Sequence, residues 1–193
     1  VPDHAALNAR PLPAVLARAA AGRDGAGLYE SAPDLLQWRE PAVQELKQHL
    51  IEAVTGLVAG LNGYGQDDLA GLRLQARAWL TVVEPGHGVP LRSHPMASWC
   101  AIYCVQAPDA VPGRMNGGAL SFYDPRLGNV YLDGGNARLR LPFGHGHFAA
   151  RAIAGQLAVF PAQLLHETMP LQGATPLVTV TAVCRYVGAE AAS

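Results

Sequence analysis

The fold is indicated first by the stretch from Gly155 to Pro170, which reads G-Q-L-A-V-F-P-A-Q-L-L-H-E-T-M-P. A glycine turn leads into a short apolar run that Pro161 ends. A second short run then ends in His166, and more β-branched residues follow after Pro170. This pattern predicts two strands joined by a turn, with His166 at the start of the second strand. A lone histidine is most often a packed or surface residue, so its role depends on the rest of the chain.

Composition limits the class of protein. The chain has 193 residues, of which 50% are apolar and 15% are charged, and this predicts one globular domain. A formal net charge of −1 argues against a nucleic-acid partner. No apolar run reaches the roughly 20 residues that a membrane helix needs, so no membrane partner is expected. Three cysteines and the absence of a signal peptide at the start predict a cytoplasmic location.

The first third of the chain, residues 1–65, is predicted to be a helical segment. Residues 13–21 form one candidate helix, and residues 41–59 form a stronger one with Pro41 in its first turn. Apolar residues recur in the second helix at intervals of three and four, which predicts one buried face. Because such a face must lie on another element, we expect it to pack on a barrel formed by residues 70–188. Both parts belong to a single domain spanning 1–193.

After residue 70 the helical period is replaced by short runs that are apolar or alternate apolar with polar residues. Between these runs lie glycine and proline turns, and Gly134-Gly135 marks a hairpin. The predicted strands cover residues 72–83, 99–105, 119–123, 130–132, 137–141, 147–153, 157–160, 164–166 and 177–187. About eight or nine such strands are typical of a double-stranded β-helix, the jelly-roll or cupin-like barrel, or of a sandwich.

Two pairs of histidines are candidate metal ligands. His145 and His147 alternate between glycines, so they share a face if the segment is extended and could chelate a metal, although histidines flanked by glycine more often lie in a flexible loop. His94 lies just before a predicted strand, and His166 lies about seventy residues later. The first and seventh strands of a small β-barrel are neighbours, so this second pair could bind one metal. Non-haem Fe(II) oxygenases use two histidines and one carboxylate in this way.

Several motifs resemble a family of 2-oxoglutarate/Fe(II)-dependent oxygenases found in bacteria and phages. They occur in the family's order between residues 72 and 183. They are Trp79, Pro85-Gly86, His94-Pro95, Ser98-Trp99, Ile102-Tyr103, Gly117-Gly118-Ala119-Leu120-Ser121-Phe122-Tyr123-Asp124-Pro125-Arg126, Gly155 to Pro161, Leu165-His166 and Pro170. The resemblance implies a double-stranded β-helix that uses Fe(II) and 2-oxoglutarate to oxidise a substrate. It also implies that His94 and His166 are metal ligands.

The chain departs from the family at its metal motif. The family's HxHP reads Arg92-Ser93-His94-Pro95 here, and a guanidinium cannot ligate Fe(II) because it is always protonated. Taking His94 as the first ligand instead puts Met96 where a carboxylate belongs. Asp124, His87 or a water could complete the metal. The sequence therefore predicts weak Fe(II) binding and 2-oxoglutarate decarboxylation near the background rate.

The cosubstrate anchor departs as well. The arginine that the resemblance leads us to expect about ten residues after the last histidine is absent, and Arg92, Arg126 or Arg185 could bind the carboxylate instead. Arg126 follows Asp124-Pro125, which is also ordinary turn chemistry. Tyr103 either hydrogen-bonds the cosubstrate or packs. Cys100 and Cys104 lie four residues apart on a predicted strand, and we interpret them as small buried residues.

We therefore expect a 2-oxoglutarate/Fe(II) oxygenase-like protein with a small-molecule or protein side-chain substrate. Two alternatives remain at this point. One is a relative with the same barrel that has lost catalysis and acts as a binding or interaction protein. The other is a cupin-like metalloprotein that uses His145 or His147. A homodimer is kept as an alternative to a monomer.

Overall fold

The computed structural model describes residues 4–9, 27–109, 117–124, 138 and 147–188. Within these ranges it has three α-helices, a 3-10 turn and nine strands. The helices are α1 (His4–Ala9), α2 (Pro41–Asn62) and α3 (Gln66–Ala70), and the 3-10 turn is Leu35–Gln37. The strands are β1 (Leu28–Glu30), β2 (Leu72–Val83), β3 (Val89–Arg92), β4 (Trp99–Gln106), β5 (Leu120–Tyr123), β6 (His147–Ala150), β7 (Leu157–Pro161), β8 (Leu165–Thr168) and β9 (Leu177–Gly188).

The strands form two antiparallel sheets that face each other. The major sheet has the order β1-β2-β9-β4-β7, and the minor sheet has the order β3-β8-β5-β6. From β2 to β5 and from β6 to β9, each strand lies in the opposite sheet to the one before it. This winding is that of a double-stranded β-helix. The strand count was compatible with a double-stranded β-helix or a sandwich, and the winding identifies the double-stranded β-helix.

Helix α2 covers the outer face of the major sheet. Pro41 occupies its first turn, and Gly63 ends it with a left-handed φ of 69° that glycine adopts without a steric cost. The side chains at intervals of four (Leu46, Leu50, Val54 and Val58) are buried and pack with Leu80, Tyr103 and Val180 of the sheet. The predicted amphipathic helix and its packing surface are therefore both confirmed.

Helix α1 contacts the same outer face of the major sheet through the side chain of Asn8. The Asn8 amide donates to the Val105 carbonyl at 2.7 Å, and its oxygen accepts from the Tyr103 hydroxyl at 2.8 Å. Leu7 beside it is buried in the same core. Every polar group in this contact therefore has a partner, as burial requires.

The N-terminal segment also contributes a strand that the sequence pattern did not predict. Strand β1 pairs with the end of β2, with Glu30 opposite Thr81. Strand β3 and helix α3 were likewise not predicted, because Pro90 lies within β3 and a five-residue helix shows too little apolar periodicity. The predicted helix over 13–21 and the hairpin around Gly134-Gly135 lie outside the described residues. No helix in the described ranges combines the length and the apolar character needed to cross a membrane.

Candidate metal centre

The turn between β7 and β8 positions both candidate histidines. The backbone N–H of His94 donates to the Ala162 carbonyl at 2.7 Å, which ties the loop after β3 to this turn. The Nδ1 atom of His166 lies 2.9 Å from the Leu164 carbonyl, two residues before it. Since a carbonyl can only accept, Nδ1 carries the proton and Nε2 keeps the lone pair. The stretch that indicates the fold therefore also holds the site.

Three side chains with metal-ligating atoms meet inside the barrel. His94, Cys100 and His166 each offer one such atom, and these atoms all lie within 4.8 Å of one another. Cys100 is completely buried, and His166 is 2% exposed. Among the described residues, no other set of three or more His, Cys, Asp or Glu side chains comes close enough to share one ion.

Aromatic rings surround the two imidazoles. The His94 and His166 ring centroids are 5.4 Å apart, and Trp79 meets His94 edge-on at 5.4 Å. Phe160 meets His166 edge-on at 4.9 Å, and Phe122, opposite His166 in the β5 ladder, is 6.4 Å away. These rings keep water away from the imidazoles and hold their orientation.

Burial favours the neutral, ligating form of both histidines. It lowers the pKa of His94 to about 4, with further lowering by His166 and Arg92. Burial also lowers the pKa of His166, with the Leu164 contact opposing it. The Nε2 atom of His94 is buried and has no hydrogen-bond partner in the described structure. A buried nitrogen without a partner costs free energy unless something binds it, so this atom fits a metal ligand.

Arg92 lies where the family motif has its first histidine. In the ladder of β3 and β8 it stands directly opposite His166. Its guanidinium donates to both carboxylate oxygens of Glu30, at 2.7 and 3.0 Å. Burial alone would raise the pKa of Glu30. The bonds and charge of Arg92, with bonds from Trp79 and Thr81, outweigh this and lower the pKa. Glu30 is a residue of this site that sequence reasoning missed, since it lies on the unpredicted strand β1.

The interior next to Arg92 is small and is lined by both polar and apolar side chains. Its lining includes hydroxyls from Thr81, Thr168, Thr179 and Thr181 beside Arg92 and His166. The cavity has a volume of about 10 Å³, which is the space of about one water. A dicarboxylic acid therefore requires Arg92 or a neighbour to move.

A larger groove opens beside His94. Strands β2 and β9 have twelve residues each, whereas the minor-sheet strands have four, so the inner face of the major sheet extends past its partner. The groove there has a volume of about 460 Å³. Its lining includes the guanidiniums of Arg77 and Arg185 and contains no carboxylate among the described residues. Met96 and Ala97 of the His94 loop form its other side.

The remaining predicted site residues lie elsewhere. Tyr103 has its hydroxyl on Asn8, on the helix side of the major sheet, so it packs and does not reach the barrel interior. Strand alternation is the reason, because Cys100 and Ile102 take the inner face of β4. Asp124 follows β5 and does not belong to the three-residue group. His87 packs against Gly27 in the turn after β2 and is also outside the group.

Arg126 and His145 lie outside the described residues, and the side chain of His147 does too. Arg185 bonds Gln75 at 2.9 Å and faces the groove. Cys100 was interpreted as a small buried residue, and its burial is confirmed. No local signal in the sequence pointed to its proximity to two histidines.

A family model matches the part of the chain that contains this site. The family is described as "Putative 2OG-Fe(II) oxygenase", and the match spans residues 77–182, more than half of the chain. The chain belongs to this family. The resemblance carried by the sequence motifs is thereby confirmed, and the chain is a 2-oxoglutarate/Fe(II) oxygenase-like protein. Fe(II) and 2-oxoglutarate are the cofactors that the family's description names.

Solved structures support the same fold at low sequence identity. A prolyl-4-hydroxylase from Pseudomonas putida has a TM-score of 0.59 at 15% identity, covering 94% of this chain and 86% of its own. The α-ketoglutarate-dependent epimerase SnoN of nogalamycin biosynthesis has a TM-score of 0.60 at 16% identity, covering 96% and 73%. AviO1 from Streptomyces viridochromogenes Tue57 has a TM-score of 0.60 at 14% sequence identity, and the match covers 96% of this chain and 85% of AviO1. No curated protein matches in sequence. These similarities confirm the double-stranded β-helix.

Proposed function

We propose that this protein is a 2-oxoglutarate-dependent oxygenase whose Fe(II) is bound by His94 and His166. The observation that carries the proposal is the buried, unpartnered Nε2 of His94, close to an imidazole whose other nitrogen is already tied to a carbonyl. Two neutral histidines on one side of an ion are the larger part of the oxygenase ligand set. Family membership supplies the rest of the support.

When bound, Fe(II) and 2-oxoglutarate supply the O₂-activating chemistry, in which the oxo acid becomes succinate and CO₂. The chain's own residues bind and orient. Arg92 is the cation of the inner cavity, so its fork can hold a carboxylate bidentately once it leaves Glu30. The threonine hydroxyls beside it can donate to the same group. Phe160 and Trp79 exclude water from the histidines.

We further propose that the substrate approaches through the groove beside His94. Two guanidiniums and no described carboxylate favour a substrate with an acid group, and Met96 offers apolar contact. The net charge of −1 and the lack of a basic block make nucleic acid a poor candidate. A cytoplasmic location is supported by the three cysteines, which are all free thiols.

The test is succinate formation from 2-oxoglutarate with Fe(II), ascorbate and air. We expect slow formation by the wild-type protein, because Arg92 is held by Glu30 and the cavity is nearly filled. Glu30→Gln weakens that hold and should raise the rate. His166→Ala should return the rate to the no-enzyme background, with circular dichroism to verify its fold. A wild-type rate equal to that of His166→Ala, in protein shown to contain Fe(II), would refute the proposal.

The acid-group part of the proposal has its own measurement. Acidic candidate substrates and their amides would be compared for stimulation of succinate formation. We expect the acids to stimulate more, and Arg77→Gln to remove the difference. Arg73→Gln, a like change on the same strand outside the groove lining, is the matched control. Equal stimulation by acids and amides would exclude this substrate class.

A further inference from the structure

The third metal-ligand position has one candidate among the described residues. The carboxylate that the oxygenase ligand set requires has no counterpart in the group around His94 and His166. Glu30, the nearby carboxylate, is already bound by Arg92, Trp79 and Thr81. Asp124 is outside the group. Among the described residues, the remaining donor atom close to both histidines is the sulfur of Cys100.

Strand alternation directs that sulfur inward. Cys100 shares the inner face of β4 with Ile102, whereas Ala101 and Tyr103 pack on the helix side. It pairs with Phe160 on the edge strand β7 and with Val183 on the central strand β9, so its backbone is held from both sides. The major sheet is the wall that faces His166 across the barrel. The position of Cys100 is therefore fixed by two ladders rather than by a loop.

The distances are close to those of a bound ion. Zn–N bonds of about 2.0–2.1 Å and Zn–S bonds of about 2.3 Å put ligand atoms roughly 3.5 Å apart in a tetrahedral site. The three donor atoms lie within 4.8 Å of one another. Movements of about 1 Å would bring them to the spacing of a tetrahedral site. A change of side-chain rotamer at His94 would supply part of such a movement while its backbone stays bonded to Ala162. Burial raises the pKa of the Cys100 thiol to about 12, and the positive charge of Arg92 opposes only part of this rise, so the thiolate would form only as a metal displaces the proton.

We propose that Cys100 is the third protein ligand, so that the centre is a His₂Cys site instead of a His₂-carboxylate site. The inference rests on the proposed role of His94 and His166 as metal ligands. A thiolate is a softer donor than a carboxylate. The site should therefore bind Zn²⁺ and Co²⁺ more tightly, relative to Fe²⁺, than a carboxylate-containing site does. On metal binding the thiol proton passes to solvent, as for other thiolate ligands.

The test is an anaerobic titration with Co²⁺ followed by absorption spectroscopy. Co²⁺ bound by histidines gives weak visible bands, and a thiolate ligand adds an intense near-ultraviolet charge-transfer band. We expect both in the wild-type protein. Cys100→Ala should lose the near-ultraviolet band and at least tenfold in Co²⁺ affinity. Cys104→Ala is the matched control, since Cys104 is a buried cysteine on the same strand, and it should behave as wild type.

A second variant keeps the test informative if Cys100→Ala fails to fold. Cys100→Asp restores a carboxylate, and it should bind Co²⁺ without the near-ultraviolet band and shift the preference toward Fe²⁺. Visible bands without a near-ultraviolet band in the wild-type protein would overturn the role of Cys100 and leave the two-histidine site standing. Absence of any Co²⁺ bands in the wild-type protein would refute the two-histidine site as well.

Discussion

Buried polar groups on the two sides of the major sheet differ in whether they have hydrogen-bond partners. On the outer face, the Tyr103 hydroxyl, the Asn8 amide and the Val105 carbonyl satisfy one another beneath helix α2. Facing the inner side, Nε2 of His94, from the loop after β3, is also buried and has no partner in the described structure. His94 packs against Trp79 of the same sheet, so burial against the sheet does not by itself explain this difference. It indicates that the outer face serves stability and the inner face serves binding.

The largest effect on metal binding is expected from His166→Ala. His166 is the ligand on which both alignments of the metal motif agree. We expect the substitution to weaken Fe(II) binding by more than about 100-fold, above the 10–100-fold typical of losing a residue that only supports a ligand. Anaerobic Fe(II) titration with calorimetric detection measures this. Retained affinity would mean that the inner face does not bind metal through this histidine.

The outer face should give the converse result. Leu50 is 4% exposed between α2 and the sheet. Leu50→Ala leaves a cavity there, and we expect the free energy of unfolding to fall by about 2–5 kcal/mol. Urea denaturation measures the loss. Fe(II) affinity, measured where the variant is still folded, should not change. A parallel drop in affinity would show that the two faces are coupled.

Asn8→Ala tests the closed hydrogen bonding of the outer face. It leaves the Tyr103 hydroxyl and the Val105 carbonyl buried without a partner, so we expect a loss of about 1–3 kcal/mol in the free energy of unfolding. The control is Asn62→Ala, which removes one bond to Val58 at an exposed helix end and should cost less than about 0.5 kcal/mol. Equal losses for the two variants would contradict the contrast between the faces.

Arg92→His tests how Arg92 affects metal binding inside the barrel. It places an imidazole opposite His166 and removes a positive charge that disfavours a cation. We expect Fe(II) affinity to rise about tenfold, or roughly 1.4 kcal/mol. Arg92→Gln removes the charge without adding a ligand, so comparing the two variants separates these effects. Unchanged Fe(II) affinity in both variants would show that Arg92 does not influence metal binding.

The smallest expected effect concerns the Glu30–Arg92 pair and pH. The pKa of Glu30 is lowered from its ordinary value of 4.5, so the pair stabilises the fold fully above that value. The stabilisation is lost as pH falls below it, through the folded-state pKa. Because the carboxylate is one-third exposed, we expect less than about 1 kcal/mol. The stability difference between wild type and Glu30→Gln should shrink from pH 6 to pH 3, as measured by urea denaturation. A constant difference would contradict the lowered pKa.

Part of this site was predictable from the residues alone. The motif around His94 and the late His166 indicated the family, and Arg92 was identified as the departure at the metal motif. The position of Tyr103 was left open, because local pattern does not say which face of a strand looks into a barrel. Cys100 and Glu30 were not predicted as site residues. One is brought to the histidines by long-range strand pairing, and the other lies on a strand too short to have a period.

By itself, the sequence determined the elements with a strong period. Helix α2 and the long strands β2 and β9 follow from apolar spacing, because burial of one face depends only on residues close in the chain. Only the tertiary structure decided which side chains meet. The ladders and the turn at Ala162 bring together His94, Cys100 and His166, and they bind Arg92 to Glu30. Contacts between residues far apart in the chain depend on sheet order and register, which no local pattern contains.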